Sequence, residues 1–354
     1  SSSRSSRKSQ VSESEESEDS DFDENGNEKN DKNHMKKYEG KRWSLFDMSG
    51  RDKINVSCDQ LPKIIHRYDA YRIAAKHIQI WPYAEPNKPR ILCWAFTRTG
   101  FEDRAKALQE TWGKGCDKLV FVSNEVMVKM KTLVVKLDDD SHGNLWQKMQ
   151  MSIPKIYDTF KGQFDYFYKI DDDTFAIMPN LRKYLLSPQI LKLKAEGKGL
   201  YLGRSMDSRF YLNSVSGEGC RFNVGGSGYI FDDVAMKKLS ERIGACFPGR
   251  RTSADDMLIG CCVETELGIL PVDTRDANGG ERFHAFDPQF CNDYHLPRDT
   301  QKAMKEDWFY SYSLKPIKEG LDHCAKDTIA FHHLPPHYVY QVYKLFFECP
   351  ELLR

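Results

Sequence analysis

From Ile91 onward, short apolar runs alternate with longer segments in which apolar residues recur every three or four positions. The short runs predict β-strands at Ile91–Phe96, Lys118–Ser123, Phe164–Ile170 and Gly199–Gly203. The longer segments predict helices at Glu102–Trp112, Leu145–Phe160 and Asp233–Ile243, and glycines predict a turn at Gly225–Gly228. Strands separated by helices of this length favour βαβ units and a mostly parallel sheet, so we predict an α/β fold.

The first 40 residues follow no apolar periodicity, and from Ser12 to Glu28 they are almost all Ser, Glu, Asp and Asn. Such a segment cannot bury enough apolar surface to offset the entropy cost of ordering, which predicts a disordered tail or stem. Its Ser-Glu alternation also fits a kinase target, although we favour a solvated spacer. We therefore expect an acidic tail at 1–40, a connection at 41–90 and one folded domain at 91–354.

Charge and cysteine content narrow the function class. The 354 residues carry 52 Lys and Arg against 52 Asp and Glu, so no net field favours nucleic acid or an anionic membrane surface. Ten cysteines without CxxC pairs or zinc-type spacing predict disulfides and an oxidising compartment, with which the sequon Asn55-Val56-Ser57 agrees.

Neither a signal peptide nor an apolar stretch of roughly 20 residues is visible, so we expect any membrane anchor to lie outside this chain.

Three consecutive carboxylates, Asp171, Asp172 and Asp173, follow the predicted strand that ends at Ile170. Ligands of parallel α/β sheets bind beyond the carboxyl ends of the strands. Carboxylates suit Mn²⁺ or Mg²⁺, which also bind diphosphate oxygens, so the run predicts the DxD arrangement of nucleotide-sugar transferases. A second run, Asp138–Asp140, also follows an apolar segment, but Ser-His-Gly-Asn comes next and favours a solvated loop or helix cap.

Besides the acidic run, further short segments are informative, and together they cover most of the chain, from about Ile91 to Phe347. In chain order they are ILCWAFT from Ile91, Glu110–Trp112, Leu145–Lys148, Tyr168–Ile170, Gly225–Tyr229, Asp255–Gly260, Asp273–Asp276, Arg282–Phe286, Trp308–Tyr310 and Thr328–His332. In order and spacing they resemble the core 1 β1,3-galactosyltransferases, within the larger group that includes fringe and other β1,3-glycosyltransferases. The resemblance implies a GT-A fold, with a Rossmann-like mixed sheet flanked by helices in a single catalytic domain.

The resemblance also implies an activity: inverting transfer of galactose from UDP-galactose to the 3-hydroxyl of O-linked GalNAc on a glycoprotein. By resemblance, Mn²⁺ is held by Asp171, Asp173 and a C-terminal histidine, while Asp172 faces the ribose or the sugar. We assign that histidine to His332 because of the matching Phe before it. His333 and His337 are competing candidates.

Asp256 matches the acidic residue that these transferases use as general base. Displacement at the anomeric carbon needs a carboxylate that takes the proton of the acceptor hydroxyl. An alternative is that Asp255 and Asp256 cap the N-terminus of a helix, where acids are common. A capping residue can also act as a base, so the two interpretations overlap, and Asp255 is kept as the second candidate.

Other matching positions are binding candidates. Those near the nucleotide are Thr97, Arg98, Lys148 and Lys169, any of which could instead be a solvated surface group. Gly226 and Tyr229, at a turn where backbone can approach a sugar closely, and Trp308 and Tyr310, in an aromatic stretch, are candidates for acceptor binding. Aromatic runs are also common in protein cores, and tight turns use glycine for local reasons.

The resemblance pairs Cys93 with Cys116 and Cys246 with Cys262, and it leaves the remaining cysteines, including Cys58, Cys291 and Cys324, unassigned. The stretch between Arg204 and Phe222 is longer than in relatives, which could reshape the donor or acceptor site. The resemblance further implies a type II membrane protein of the Golgi with a lumenal catalytic domain, and a homodimer.

Three other functions remain open at this point. One is a related β1,3-transferase that uses UDP-glucose or UDP-GlcNAc on another acceptor, such as O-fucose. Another is a catalytically silent chaperone or lectin-like homologue, which would be expected to lose the metal triplet that this chain keeps. A third, a phosphate-ester hydrolase, is less favoured because the sequence has no second metal cluster.

Overall fold

The computed structural model describes residues 56–82, 88–212 and 219–354. Eleven strands occur in this part of the chain: β1 Ile91–Phe96, β2 Lys118–Ser123, β3 Thr132–Val134, β4 Tyr166–Ile170, β5 Phe175–Ala176, β6 Tyr201–Gly203, β7 Ser205–Leu212, β8 Gly219–Asn223, β9 Tyr229–Asp232, β10 Val272–Asp273 and β11 Ala330–Phe331. The predicted tail at 1–40 and the sequon residue Asn55 lie outside the described residues, so those predictions stay open.

Seven strands form the central sheet in the order β10-β6-β9-β4-β1-β2-β3. Strand β1 pairs in parallel with β2 and β4, and β2 pairs in parallel with β3. Strand β9 runs antiparallel between β4 and β6, and β10 is parallel to β6. The predicted strands at Ile91–Phe96 and Lys118–Ser123 are confirmed with their bounds, and the sheet is mixed.

Twelve α-helices occur among the described residues: α1 Leu61–Ile64, α2 Tyr68–His77, α3 Glu102–Glu110, α4 Leu145–Phe160, α5 Met178–Leu185, α6 Pro188–Ala195, α7 Asp233–Arg242, α8 Asp255–Leu267, α9 Phe290–Asp293, α10 Thr300–Glu306, α11 Trp308–Ser311 and α12 Pro336–Tyr343. The bounds predicted for α4 are confirmed. The helix predicted to reach Trp112 ends at Glu110, and a 3-10 turn continues from Trp112. None of the described helices has the length and apolarity to cross a membrane.

Helices cover both faces of the sheet, as the residues of β1 illustrate. All six residues of β1 are buried, and successive side chains of a strand point to opposite faces. Ile91, Cys93 and Ala95 pack in one hydrophobic cluster with residues of α3. Leu92, Trp94 and Phe96 pack in a second cluster with the buried side of α4. A strand buried on both faces is apolar without interruption, which is the pattern that β1 shows. The predicted α/β fold with helices flanking a mixed sheet is confirmed.

Two short sheets lie outside the central one. Strand β5 pairs antiparallel with β11, with Phe175 opposite Phe331, and this pairing brings the C-terminal segment beside the acidic triplet that precedes β5. Strands β7 and β8 form an antiparallel hairpin with a register irregularity. This hairpin occupies the stretch that was predicted to be longer than in relatives.

All ten cysteines form disulfides, and they lie within the described residues. The pairs Cys93–Cys116 and Cys246–Cys262 are confirmed. The three pairs that the sequence left open are Cys58–Cys349, Cys220–Cys261 and Cys291–Cys324. Cys220–Cys261 ties the β7–β8 hairpin to α8, and the adjacent Cys262 ties the same helix to the segment after α7. The disulfide framework therefore holds the helix that begins at Asp255 on two sides.

Candidate active site

The acidic triplet lies in a tight turn between β4 and β5. The Thr174 N–H donates to the Asp171 carbonyl (3.2 Å), and the Asp171 N–H donates to Thr174 Oγ1 (2.9 Å). The Thr174 hydroxyl donates to the carbonyl of Gly226 (2.7 Å), and the Trp112 indole N–H donates to the Thr174 carbonyl (3.0 Å). Thr174 is fully buried, so these bonds hold the turn in one conformation. The triplet is thereby fixed to the glycine turn.

His332 lies directly after β11 and faces the triplet. Its Nε2 is 3.0 Å from Asp173 Oδ1 and 3.9 Å from Asp171 Oδ2. The Leu334 N–H donates to the Asp173 carbonyl (3.1 Å), which fixes the segment beside the turn. The His332 ring lies against Gly226, where an added Cβ would overlap ring atoms Nδ1, Cε1 and Cγ. Three predicted metal ligands, Asp171, Asp173 and His332, therefore come together, and Gly226 makes room for the third.

Burial and neighbouring charges shift the pKa values of Asp172 and Asp173 in opposite directions. Burial alone would raise the pKa of Asp173, but the His332 imidazole outweighs burial and holds that pKa well below its usual range. Burial opposes the charged form of His332, yet Asp173 raises the pKa of that imidazole. Asp172 differs, because burial and the neighbouring Asp173 raise its pKa to about 7. His332 and Arg104 both compensate the charge of the Asp173 carboxylate.

Arg104 of α3 is a site residue that the sequence interpretation missed. Its Nη1 is 3.0 Å from Asp172 Oδ1 and 3.5 Å from Asp173 Oδ2. Its guanidinium also lies over the Phe101 ring, 5.1 Å from the centroid. The contact joins residues 68 positions apart, and no local pattern around Arg104 indicates it. Among the segments that carry the family resemblance, the one closest to Arg104 in the sequence is Glu110–Trp112, at the end of the same helix.

Lys169 connects the triplet to the acids of α8. Its side chain is 2% exposed, and its Nζ lies 2.5 Å from Asp171 Oδ1 and 3.7 Å from Asp255 Oδ2. Burial disfavours the ammonium, but Asp171 and Asp255 outweigh it and raise the pKa of Lys169. The ammonium also lies 5.7 Å from the centroid of the Tyr229 ring. Lys169 is therefore a buried cation shared by two groups of carboxylates.

Asp255 and Asp256 form the first turn of α8, as the capping interpretation expects. Asp256 Oδ2 accepts from the Gly225 N–H (2.9 Å), so the same glycine turn that contacts His332 also holds Asp256. Burial raises the pKa of Asp256, and it raises that of Asp255 to about 7. Asp255 is buried beside Lys169, whereas Asp256 is partly exposed. Of the two carboxylates, the half-buried Asp256 is the one with surface that an acceptor hydroxyl could reach.

The residues after β1 lie near this site through Lys148. The Lys148 Nζ donates to the Thr97 carbonyl (2.8 Å) and to Asp140 Oδ1 (2.7 Å), and its side chain is 3% exposed. The Thr97 hydroxyl is buried with no hydrogen-bond partner in the described part of the chain, which leaves it available to a ligand. Arg98 is exposed and stacks on Phe101, 4.5 Å from the centroid.

The second acidic run behaves as a loop. Asp138 and Asp139 are exposed, and Asp139 accepts from Ser141 (3.0 Å) and Asn144 (2.7 Å) in the turn before α4. The third member, Asp140, pairs with Lys148. This arrangement fits the solvated loop or cap that the sequence favoured for Asp138–Asp140.

The aromatic stretch at Trp308–Tyr310 belongs to a larger aromatic cluster. Trp308 and Tyr310 are half-buried and Phe309 is buried. The Phe286 ring lies 5.9 Å from that of Trp308 and 5.2 Å from that of Phe309. Phe286 also lies 6.2 Å from His333, so the cluster extends to the histidine segment. Trp308 and Tyr310 retain exposed surface that could contact an acceptor.

Tyr229 is placed differently from its prediction as an acceptor contact. Its side chain is fully buried between Tyr201 and Phe231, with ring centroids at 5.6 Å from each. Its ring faces the Lys169 ammonium instead. Tyr229 therefore packs against the buried Lys169 ammonium. Gly226, the other predicted acceptor contact at this turn, makes room for the His332 ring.

A second buried ion pair lies beneath the aromatic cluster and was not predicted. Arg204 is 2% exposed, and its Nη1 lies 2.6 Å from Glu281 Oε1. Its Nη2 donates to Ser313 Oγ (3.1 Å), and its guanidinium lies 4.5 Å from the centroid of the Phe309 ring. The Val224 N–H donates to the Arg204 carbonyl (2.9 Å), one residue before the glycine turn. Arg204 thus links the turn to α11.

Comparison with known proteins bears on the whole arrangement. The family model described as Fringe-like matches residues 96–295, more than half of the chain. The glycoprotein-N-acetylgalactosamine 3-beta-galactosyltransferase 1 of Xenopus laevis is 27% identical over 72% of this chain, and this chain covers 65% of that relative. The human chondroitin sulfate glucuronyltransferase is 23% identical over 51% of this chain and 21% of its own length. The chain thus spans under two thirds of the length of either relative.

Solved structures give a weaker likeness. The apo structure of the bifunctional WbbM glycosyltransferase aligns with 65% of this chain and 45% of its own, at 11% identity and a TM-score of 0.35. The galactosyltransferase LgtC with donor and acceptor sugar analogues aligns with 70% of this chain and 87% of its own, at 9% identity and a TM-score of 0.31. TM-scores this low do not support a conclusion about site geometry.

Proposed function

The chain belongs to the Fringe-like family, and on this premise we propose that it is an inverting, metal-dependent glycosyltransferase. The proposed reaction transfers galactose from UDP-galactose to the 3-hydroxyl of O-linked GalNAc on a glycoprotein. One observation carries the proposal: Lys169 lies between the cluster of Asp171, Asp173 and His332 on one side and the acids of α8 on the other. A cation site and a candidate base are thereby held in one rigid unit.

The residues present fit a divalent cation. Two carboxylates and one imidazole converge, and His332 and Arg104 both lie within ion-pair distance of Asp173. Asp171, Asp173 and His332 would hold Mn²⁺, since carboxylates suit this ion and imidazole binds first-row metals. When bound, the ion neutralises the diphosphate charge that develops as UDP departs. The buried Lys169 adds a fixed positive charge beside the same carboxylates.

Asp256 is the proposed general base. Its carboxylate takes the proton of the acceptor 3-hydroxyl while that oxygen bonds to the anomeric carbon and the bond from that carbon to the UDP oxygen breaks. The electron pair of the broken bond leaves with UDP, and the single displacement inverts the configuration. The Gly225 N–H orients Asp256, and burial raises its pKa, which makes the carboxylate a stronger base.

Binding roles are proposed from the family match and from the surroundings of each side chain. Thr97, Arg98, Lys148 and Asp172 are proposed to contact the nucleotide or the donor sugar; the unpartnered Thr97 hydroxyl is the most direct support. Trp308 and Tyr310 are proposed to stack on the acceptor through their half-exposed rings. Gly226 and Tyr229 are assigned instead to support of His332 and Lys169.

Galactose and the GalNAc acceptor are proposed because the Xenopus relative is named for that transfer. A Golgi lumenal location, a type II anchor outside this chain and a homodimer are proposed on the same family grounds. Five disulfides support an oxidising compartment.

The test is transfer to a GalNAc-Thr peptide with Mn²⁺, offering UDP-galactose, UDP-glucose and UDP-GlcNAc separately. We expect galactose transfer that EDTA and Asp173→Ala abolish, while Asp138→Ala in the second acidic run leaves it unchanged. Transfer from another donor only would keep the mechanism and assign the protein to a sister activity. If no donor is consumed and UDP does not bind with Mn²⁺, a chaperone or lectin-like role replaces the enzyme proposal.

A further inference from the structure

His333, the residue after the proposed metal ligand His332, has a left-handed backbone with φ of 60°. Non-glycine residues rarely adopt positive φ, because the left-handed conformation brings Cβ too close to the backbone. Consecutive side chains of an extended segment point to opposite sides. Here the rings of His332 and His333 instead stack, with centroids 3.8 Å apart and planes inclined by 27°. The left-handed residue therefore turns a second imidazole toward the side that faces the triplet.

The stacked rings bring a second histidine within reach of the metal ligands. Asp173, His332 and His333 each offer one ligand atom, and these atoms all lie within 4.8 Å of one another. Other such groups among the described residues contain disulfide-bonded cysteines, which are not thiolate ligands. All three residues are half-buried, so an ion could enter.

Asp171 is the more constrained carboxylate. Its Oδ1 lies 2.5 Å from Lys169 Nζ, and only its Oδ2 faces His332, at 3.9 Å. One oxygen of this carboxylate is thus occupied by a buried cation. A second imidazole would add a ligand beside Asp173 and His332, where the other Asp171 oxygen is occupied by Lys169.

We propose that His333 is a further metal ligand, so that two adjacent imidazoles and the carboxylates of Asp173 and Asp171 hold the ion. The inference rests on the proposed function, in that it concerns the same metal site, and adds a ligand to it. At a site that includes nitrogen ligands, affinity for first-row divalent ions rises from Mn²⁺ to Co²⁺ and beyond, whereas Mg²⁺ and Ca²⁺ take oxygen ligands. The adjacent pair would therefore make the site selective for transition metals.

The test compares His333→Gly and His333→Ala with His332→Ala and with His337→Ala. Glycine removes the ring and also the left-handed strain, so loss of metal binding in His333→Gly cannot be attributed to a strained backbone. His337 lies in α12 with its ring 4.7 Å from that of Tyr338 and serves as the matched histidine control. Binding of Mn²⁺ with UDP is measured by calorimetry, and bound nitrogens are counted from the hyperfine couplings of ¹⁴N to Mn²⁺.

We expect both His333 variants to bind Mn²⁺ on the order of 10–100-fold more weakly than the parent, with the Mg²⁺ affinity changed much less. The nitrogen count should fall from two to one in either variant, whereas His337→Ala should keep two. One nitrogen in the parent, or unchanged Mn²⁺ affinity in His333→Gly while His332→Ala loses binding, would overturn the inference and leave the proposed function intact. Absence of Mn²⁺ binding in the parent would instead count against both.

Discussion

The metal side of the site and the aromatic side are assembled in different ways. On the metal side, Lys169, Asp171 and Asp173 come from one strand end and the turn that follows it, and Asp256 comes from the first turn of one helix. On the aromatic side, Phe286, Trp308 and Phe309 come from loops and a one-turn helix, and the buried Arg204–Glu281 pair lies beneath them. Short-range order positions Lys169, Asp171 and Asp173 of the first group, whereas long-range contacts position Asp256 and the whole of the second group.

This difference predicts how each side responds to substitution. A carboxylate held by its own turn can be replaced without moving its neighbours, so its loss should remove one chemical role. A residue that holds distant segments together should change geometry, and therefore binding, when it is replaced. The two sides meet at the glycine turn. The Val224 N–H before the turn donates to the carbonyl of Arg204 on the aromatic side, while Gly225 contacts Asp256 and Gly226 contacts His332 on the metal side.

The largest expected effect is that of Asp256→Asn. The amide keeps the shape and one of the two oxygens that accept from the Gly225 and Met257 N–H groups, but it cannot take a proton, so we expect kcat to fall by about 10²–10⁴-fold. Affinity for UDP and Mn²⁺, measured by calorimetry, should not change. Asp255→Asn is the matched control, because Asp255 is buried beside Lys169. A greater loss of kcat in the control than in Asp256→Asn would transfer the role of base to Asp255.

The acidic triplet could be proposed as a site from the sequence because its signal is local. An apolar strand followed directly by three acids indicates Asp171–Asp173 without any knowledge of the fold. His332 needed the family resemblance, because its position beside the triplet depends on the pairing of β5 with β11, strands about 155 residues apart in the chain.

Contacts without a local pattern could not be predicted. Arg104 reaches Asp172 across 68 positions, and Arg204 reaches Glu281 across the sheet edge and the loop that follows β10. Tyr229 was assigned to the acceptor because it follows the glycine turn, but the strand β9 that it begins is buried on every residue. Burial of a whole strand depends on the neighbouring strands, which the residues of β9 do not reveal.

Gly226→Ala should produce the next largest effect and test how the glycine turn supports the metal side. The added Cβ would overlap the His332 ring, so the ring must move away from Asp173. We expect Mn²⁺ affinity to fall by about 10–100-fold, measured by calorimetry in the presence of UDP. Gly225→Ala is the matched control, because its Cβ would lie 3.2 Å from the Cβ of Asp256 instead.

Gly225→Ala should therefore reduce kcat more than Mn²⁺ affinity, and Gly226→Ala should do the reverse. Substitutions at two adjacent glycines thus test the proposed base and the proposed metal site separately. If the two variants bind Mn²⁺ equally well, the His332 ring can move aside without loss of metal binding. That result would weaken the assignment of His332 as a ligand.

A smaller effect is expected from Arg204→Lys on the aromatic side. Lysine keeps the charge but cannot bond Glu281 and Ser313 together or lie flat on Phe309, so α11 should shift. We expect KM for the GalNAc-peptide to rise about tenfold, which corresponds to about 1.4 kcal/mol. Affinity for UDP with Mn²⁺ should remain within about twofold.

The matched control is Arg182→Lys, which alters another buried pair. Arg182 lies 2.9 Å from Asp117, and its Nη2 donates to the Gly115 carbonyl (2.7 Å), near neither α11 nor the triplet. Both variants should lower the free energy of unfolding, since each weakens a buried ion pair. Only Arg204→Lys should raise the KM of the acceptor. A rise of similar size in both variants would attribute the effect to general loss of stability.

The smallest expected effect is a pH dependence confined to the metal side. The pKa of His332 is raised by Asp173, so in the metal-free protein this pair contributes stability that is present below the unfolded pKa and is lost as pH rises through the folded one. A metal ion needs the neutral imidazole, so Mn²⁺ binding strengthens over the same rise in pH. Between about pH 6 and pH 8, the melting temperature without Mn²⁺ should therefore lose the contribution of the His332–Asp173 pair. Over the same range, the increase in melting temperature that Mn²⁺ causes should grow.

Scanning calorimetry of the parent and His332→Gln tests this, because the variant should show a smaller change of the Mn²⁺ effect with pH. His337→Ala should behave as the parent does. A Mn²⁺ effect that does not change with pH in the parent would mean that no imidazole gives up a proton on binding, and the ion would then be held by the carboxylates of the metal side alone.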